Sequence, residues 1–374
     1  MKRIPVIPRP DYKEKIEALG FDFHGDYWRE EAYYCFTTDE IERLEEATRE
    51  AYRMYCEAVQ HILEYKSGFM EHILNIPEEV CECIRESWDA DELSLYGRFD
   101  FMLSKDGIPK ILEFNADTPT SLLEAAIIQW QWKEDVFPDY DQYNGIHEGL
   151  VQSWKDIFPE GGDIHFAGAL ENNEDTGTLQ YLASTAMEAG FSTRVLDMNA
   201  LNLQDGHFFD PAGEPVKRCF KLYPWEWMAD ESPDGCLADV KWLEPIWKLV
   251  MSNKAILSVL SDLFPTSPYV LPCYMSRPQS GVFCKKPVFS REGHNVSVQE
   301  IRNWEERVCI AETEGDYNTG AYVYQEYVTP TPYSGRYPVI GSWIIGGEPA
   351  GIGIRENRME ITDNMSEFVP HIIM

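Results

Sequence analysis

The chain has 374 residues, 44% of them hydrophobic, and a formal net charge of −32. That length holds two or three subdomains around a large core, and the acid excess argues against nucleic acid and anionic membranes as partners. Nine cysteines without a C-x-x-C pair fit neither a disulfide framework nor a zinc site and are expected as packed, reduced thiols. The opening MKRIPVIPRP lacks an apolar h-region and no run approaches 18 apolar residues, so a cytoplasmic chain is expected.

Residues 1–36 are mixed, with an aromatic cluster at Phe21, Phe23, Tyr27 and Trp28. Thr37-Thr38-Asp39-Glu40 opens a helix, because Thr or Asp caps the first turn and Glu suits its positive end. Apolar positions at helical spacing (Ile41, Leu44, Ala47, Ala51, Met54, Tyr55, Ala58) extend it over 39–66. A second helix is expected over 76–88, begun by Pro77.

Next come two apolar runs, 96–103 and 110–114, around Asp106-Gly107, a two-residue hairpin signal. With that turn, Asp100 lies opposite Glu113 and Arg98 opposite Asn115. Side chains two apart share a strand face. Arg98, Asp100, Glu113 and Asn115 therefore point one way, and Phe99, Phe101, Leu112 and Phe114 the other. Facing carboxylates repel unless a cation lies between them, and an all-oxygen set from Asp, Glu and Asn suits a hard ion such as magnesium. Arg98 beside it suits a carboxylate or phosphate. Spacing alone leaves a second reading open, an exposed hairpin face with ordinary charges.

A helix is expected over 118–132, its first turn offering Thr118, Thr120 and Ser121 either to an anion or as plain caps. Residues 163–169 read as a strand, 171–175 as an acidic loop, then a helix to about Ala189 and a strand over 193–196. This order suggests an α/β subdomain with a parallel pair, its acidic loop at a usual ligand position or simply solvated. Residues 203–216 read as a surface hairpin and 220–227 as an aromatic packing segment. Lys254 sits near the start of a helix ending at Phe264, where a cation is disfavoured unless an anion lies nearby. Residues 281–289 form a strand ending at Lys285-Lys286-Pro287, followed by a polar loop with Arg291, Gly293 and Asn295. A strand over 322–328 and a hairpin, 338–345 with 350–355 around Gly346-Gly347, complete the chain.

The order GRFDF, EFNAD, NKAIL, KKP, a loop with Arg and Asn, YQE and GIGIR resembles the synthetase domain of the glutathionylspermidine synthetase family, nearest its stand-alone members without an amidase domain. The resemblance spans about residue 20 to the C-terminus. It implies an ATP-grasp fold of the α/β (α+β) class, with nucleotide between two lobes and an inserted α/β subdomain. The approximate units are 1–160 with 320–374 (metal and catalytic sheet), 161–250 (substrate side) and 251–320 (nucleotide lid). It implies two magnesium ions on Asp100, Glu113 and Asn115, and catalytic arginines Arg98 and Arg355. Arg98, Lys254, Lys286, Asn295 and Gln325 would contact ATP. Thr118, Thr120, Glu174, Asp175, Arg291 and Glu367 would contact the substrates. The implied reaction is ATP-dependent ligation of a small carboxylate, such as a glutathione-like peptide, to an amine such as a polyamine, through an acyl phosphate. No amide hydrolysis is expected.

Two positions depart from the family pattern. Asp363-Asn364 stand where a lysine is expected, and Leu222, in KLYPWEW, stands where a hydroxyl residue is expected. They leave open a ligase of the same fold with a different acid and amine. A non-catalytic nucleotide-binding protein is the alternative of another class.

Overall fold

The computed structural model describes all residues except 26, 67, 292, 304–305, 318–319 and 360–365. The long helix forms as its sequence demands, over Thr38–Tyr65. Thr37 Oγ1 accepts from Glu40 N and Glu40 Oε2 from Thr37 N, a reciprocal capping box. Its buried stripe, from Ile41 through Met54 and Tyr55 to Ile62, lies on one face of a five-stranded antiparallel sheet. Tyr55 meets Phe99 and Phe114 edge-on at 5.2 and 5.3 Å, and those two rings stack at 3.9 Å. The Pro77-led helix spans Glu78–Asp89.

The sheet's order is Glu367–Phe368, Glu348–Asn357, Tyr337–Ile345, Tyr96–Leu103, Pro109–Asn115. Arg98 pairs with Asn115 and Asp100 with Glu113, as the hairpin reading expects. Two departures cancel to give that register. The turn is wider than Asp106-Gly107 alone, with Ser104 N bonded to Ile108 O and Gly107 N to Ser104 O. On the turn side Phe101 therefore pairs with Ile111, and a bulge at Leu112 restores the expected pairing beyond it. The bulge also corrects one side chain. Ile111, not Leu112, joins the core with Phe99, Phe101 and Phe114, and Leu112 turns to the polar side.

A second antiparallel sheet runs Cys273–Tyr274, Tyr322–Glu326, Gly281–Pro287, Ser297–Ile301, Arg307–Glu312. A parallel sheet runs Lys241–Leu243, Arg218–Leu222, Asp163–Gly168, Ser192–Asp197. The expected parallel pair is its last two strands. Arg218–Leu222, an inner strand buried from Cys219 to Leu222, lacks the alternation that marks a strand, and the edge strand Lys241–Leu243 is too short to show one. The aromatic segment 220–227 is thus the end of a strand and the start of the helix Trp225–Glu231. Residues 203–216 lie within a three-stranded antiparallel unit.

The helix expected from Thr118 starts later, at Leu122, and passes through a π turn, Glu124–Ile128, into Gln129–Val136. Pro119 disfavours helical backbone at Thr118, and Ser121 takes a left-handed φ of 65°. Among the described residues no helix is long and apolar enough to cross a membrane.

Candidate active site

A cleft of about 1390 Å³ opens between the two antiparallel sheets. The hairpin lines it with Arg98, Asp100, Glu113 and Asn115, and the following loop with Thr118 and Thr120. Lys254, Lys286, Arg291, Gln325 and Arg355 complete its polar wall, while Met102 and Leu112 form apolar floor.

Two guanidiniums hold Asp100. Arg98 Nε and Nη2 lie 2.7 and 3.2 Å from its two oxygens, and Arg355 Nη2 lies 2.9 Å from Oδ2. Arg98 Nη1 also donates to Thr120 O, and its guanidinium lies 5.8 Å from the Trp343 ring centroid. Gly341, opposite Asp100 on the next strand, makes this possible: a Cβ there would lie 2.8 Å from Arg98 Cδ.

Glu113 faces ammonium groups instead. Lys254 Nζ lies 3.1 Å from its Oε2. Burial opposes ionisation of Glu113, but Lys254, Lys286 and Arg98 outweigh it and push the carboxyl down to about 2. Glu113 is thus the anion that Lys254 requires just ahead of the helix Ile256–Leu263. Lys254 Nζ also donates to Ser290 O at 2.8 Å.

Lys286 and Gln325 tie the second sheet to the hairpin's outer edge. Lys286 Nζ donates to Leu112 O and to Gln325 Oε1, and Gln325 Nε2 donates to Ile111 O at 2.9 Å. Both ends of the Gln325 amide are engaged within the protein.

The structure does not bring every candidate to the cleft wall. Asn295 lies in a turn at φ 55°, its Oδ1 accepting from Tyr317 N. Glu174 and Asp175 belong to the first turn of a helix, Asn173–Glu188, rather than to a loop; Asn172 Oδ1 caps their N–H groups. Glu367 is matched on the far edge of the sheet by Arg29 and Arg336, at 3.1 and 3.0 Å. Residues 363 and 364 lie outside the described residues. Leu222 is buried at the end of its strand.

Sequence reasoning gave no role to Glu124, on the π turn. Its Oε1 is buried without a partner among the described residues. Burial and the nearby Glu174 push its carboxyl up to about 8, against the smaller pull of Tyr27 and Arg98. Asp117 was also passed over: it receives Lys221 Nζ and Trp225 N, both at 2.8 Å. An acid one turn into an apolar helix carries no motif, and the D of EFNAD stands apart from the hairpin alternation.

Asp100, Glu113 and Asn115 supply two carboxylates and a carboxamide oxygen on one face. This set fits a hard divalent cation. Each carboxylate already has cationic partners, so an ion would share them. Among the described residues no cluster of three His, Cys, Asp or Glu side chains has metal-binding geometry.

A family model described as glutathionylspermidine synthase preATP-grasp matches residues 3–374. A Haemophilus influenzae protein provisionally named acid–amine ligase is 36% identical, covering 99% of each chain. Trypanothione synthetase of Crithidia fasciculata is 28% identical over 79% of this chain and 50% of its own. The bifunctional glutathionylspermidine synthetase/amidase of Escherichia coli is 24% identical over 97% of this chain and 63% of its own. The chain thus spans about half to two thirds of the length of these last two. A crystal structure of a provisional γ-glutamylcysteine synthetase from Methylobacillus flagellatus superposes with a TM-score of 0.50 at 9% identity, over 78% of this chain and 83% of that one. It shows a shared mixed α/β fold.

Proposed function

Because the chain belongs to the glutathionylspermidine synthase preATP-grasp family, whose matched relatives are named ligases and synthetases, and is itself a ligase, we propose that it joins a small carboxylate to an amine at the expense of ATP, through an acyl phosphate. The cleft is an ATP-grasp site in this reading. The division into a catalytic sheet (1–160 with 320–374), a substrate-side unit (161–250) and a nucleotide lid (251–320) goes with it. The observation that carries the proposal is Asp100 held between Arg98 and Arg355 in a cleft that also gathers Lys254 and Lys286.

A carboxylate oxygen is a poor leaving group and an acyl phosphate a good one. Transfer of the γ-phosphoryl group needs positioning and charge stabilisation above all. Lys254 and Lys286 bind and orient the nucleotide's phosphates. Arg98 and Arg355 orient the acid and stabilise the charge that builds on the transferring group. Asp100, Glu113 and Asn115 would hold magnesium, as two ions in the family reading, which neutralises phosphate charge. Asn295 and Gln325 serve the nucleotide through their loop and strand. Thr118, Thr120 and Arg291 serve the acid, and Glu174, Asp175 and Glu367 the amine. The cleft faces the cell's soluble pool of small molecules in this reading.

The test is ATP-dependent phosphate release by the purified chain over paired carboxylates and amines, glutathione with spermidine first, with mass detection of the amide. Arg355→Ala is expected to spare nucleotide binding and lower the ligation rate by about 10²–10³. Loss of ATP affinity with an unchanged chemical step would remove Arg355 from catalysis. The buried Leu222, in place of a hydroxyl, favours a second version of the same reaction with a different acid and amine. Amide formation only with pairs other than glutathione and spermidine selects it.

A further inference from the structure

Two charged side chains stand in the dry interior behind the hairpin. Glu244 and Lys248 are wholly buried, and Lys248 Nζ lies 3.5 Å from Glu244 Oε2. Glu244 directly follows the strand Lys241–Leu243, and Lys248 opens the helical turn Lys248–Met251. A buried ion pair often returns no more in attraction than its two charges lose on leaving water. The other partners of such a pair are therefore informative.

Here they all lie at the open end of the hairpin. Glu244 Oε1 accepts from Leu95 N and Tyr96 N at 3.1 and 3.0 Å, and its Oε2 accepts from Ser94 Oγ at 2.5 Å. Lys248 Nζ donates to Tyr96 O and to Ala116 O, both at 3.1 Å. Tyr96 begins the first strand, and Ala116 follows the last residue of the second. Lys248 thus bridges the two strands just beyond their last ladder pair, Arg98 with Asn115. The chain leaves the sheet at Ala116, and two residues later Thr118 lines the cleft. Asp117, between them, is held separately by Lys221. An apolar side chain in place of Lys248 would fill the space and satisfy neither carbonyl. Neither Glu244 nor Lys248 lines the cleft, so any effect on binding there passes through the hairpin.

Resting on the ligase reading, we propose that Lys248 is a positioning residue: held by Glu244, it braces the open end of the hairpin and so sets Asn115 and Thr118 in the geometry that binds nucleotide with its divalent cation. It stands one peptide unit behind Asn115, where the supports of metal-ligand residues are found.

The test uses the full chain and the β,γ-imido analogue of ATP with magnesium, its binding measured by calorimetry. Lys248→Met is expected to bind about ten- to a hundredfold more weakly than wild type, the usual cost of losing such a support. Its backbone amides at 115–118 are expected to exchange hydrogen faster, with the helix Thr38–Tyr65 unchanged. Glu244→Gln keeps an acceptor for both amides and a partner for Ser94, and is expected to bind like wild type. Arg9→Met, which opens another buried ion pair, that with Glu30, is expected to bind like wild type too. Wild-type affinity in folded Lys248→Met, unchanged exchange at 115–118, or an equal loss in Arg9→Met overturns the brace. If Lys248→Met does not fold, Lys248→Gln, which keeps a donor in the site, carries the same expectation and the same reversal. Weaker binding in the lysine variant, in a protein that releases no phosphate with any acid and amine, leaves the brace standing and sinks the ligase reading. Turnover with an affinity indifferent to Lys248 does the reverse, and no binding by wild type sinks both.

Discussion

Glu113 and Glu124 are both glutamates near Arg98, yet their surroundings push them in opposite directions. Glu113 faces Lys254 and Lys286 across the cleft, and its carboxyl falls to about 2. Glu124 lies behind Arg98 on the π turn, faces another acid, Glu174, and rises to about 8. Burial acts the same way on both. The sign is decided by which charges the neighbouring elements bring. A permanently ionised carboxylate suits the cationic side of a phosphate site. Glu124, buried on the π turn and not on the cleft's lining, holds its proton near neutrality instead.

The comparison breaks most visibly at Glu113. Glu113→Gln, and likewise Asp100→Asn, is expected to keep the fold and lower magnesium-dependent ATP turnover by at least about 10²–10³. Turnover like the wild type in either purified variant would remove these residues from the site. Gly341→Ala comes next. Its new methyl lands on Arg98 Cδ, and displacing a positioned guanidinium by about 1 Å is expected to lower kcat about tenfold to a hundredfold. An unchanged kcat would mean that Arg98 needs no support from the neighbouring strand.

Glu124→Gln sharpens the contrast through pH. The folded state holds the Glu124 proton from the ordinary value of 4.5 up to about 8, so this group costs stability as pH rises through that window, at up to about 1.4 kcal/mol per unit. Glu113 has the opposite sign: its contribution is present above 4.5 and is lost as pH falls towards about 2. The stability of Glu124→Gln relative to wild type should therefore be greater at pH 8 than at pH 5, by denaturant midpoints at both. The same difference at both pH values would contradict an elevated carboxyl. The smallest effect is at Thr37. Thr37→Ala removes one half of a capping box and is expected to cost about 1 kcal/mol of stability without altering KM for ATP. A changed KM would show that the helix behind the hairpin shapes the cleft.

Much of the candidate site was legible because a strand's two-residue period is local. Arg98, Asp100, Glu113 and Asn115 share a face through alternation alone, and the stacked Phe99 and Phe114 show the other face packing as expected. The long helix was legible for a similar reason, since its cap and apolar stripe lie within the same 28 residues. The parallel strands at 218–222 and 241–243 were not, because the inner one is buried without alternation and the edge one is only three residues long. Leu112 was misplaced because a bulge depends on what the outer strand edge must meet, here Lys286, Gln325 and the carbonyl of Tyr269.

The amino-acid sequence by itself thus determined the hairpin with its polar and apolar faces, the capped helix that covers the apolar one, and the ordered Arg, Asp, Glu, Asn and Lys of the family pattern. Tertiary structure alone decided that Arg355 closes on Asp100, that Lys254 neutralises Glu113, that Gln325 spends its amide on the hairpin, and that Lys248 and Glu124 stand where they do. The physical reason is range. Backbone periodicity and capping act over a few residues, whereas charge pairing and burial depend on which distant segments the fold packs together.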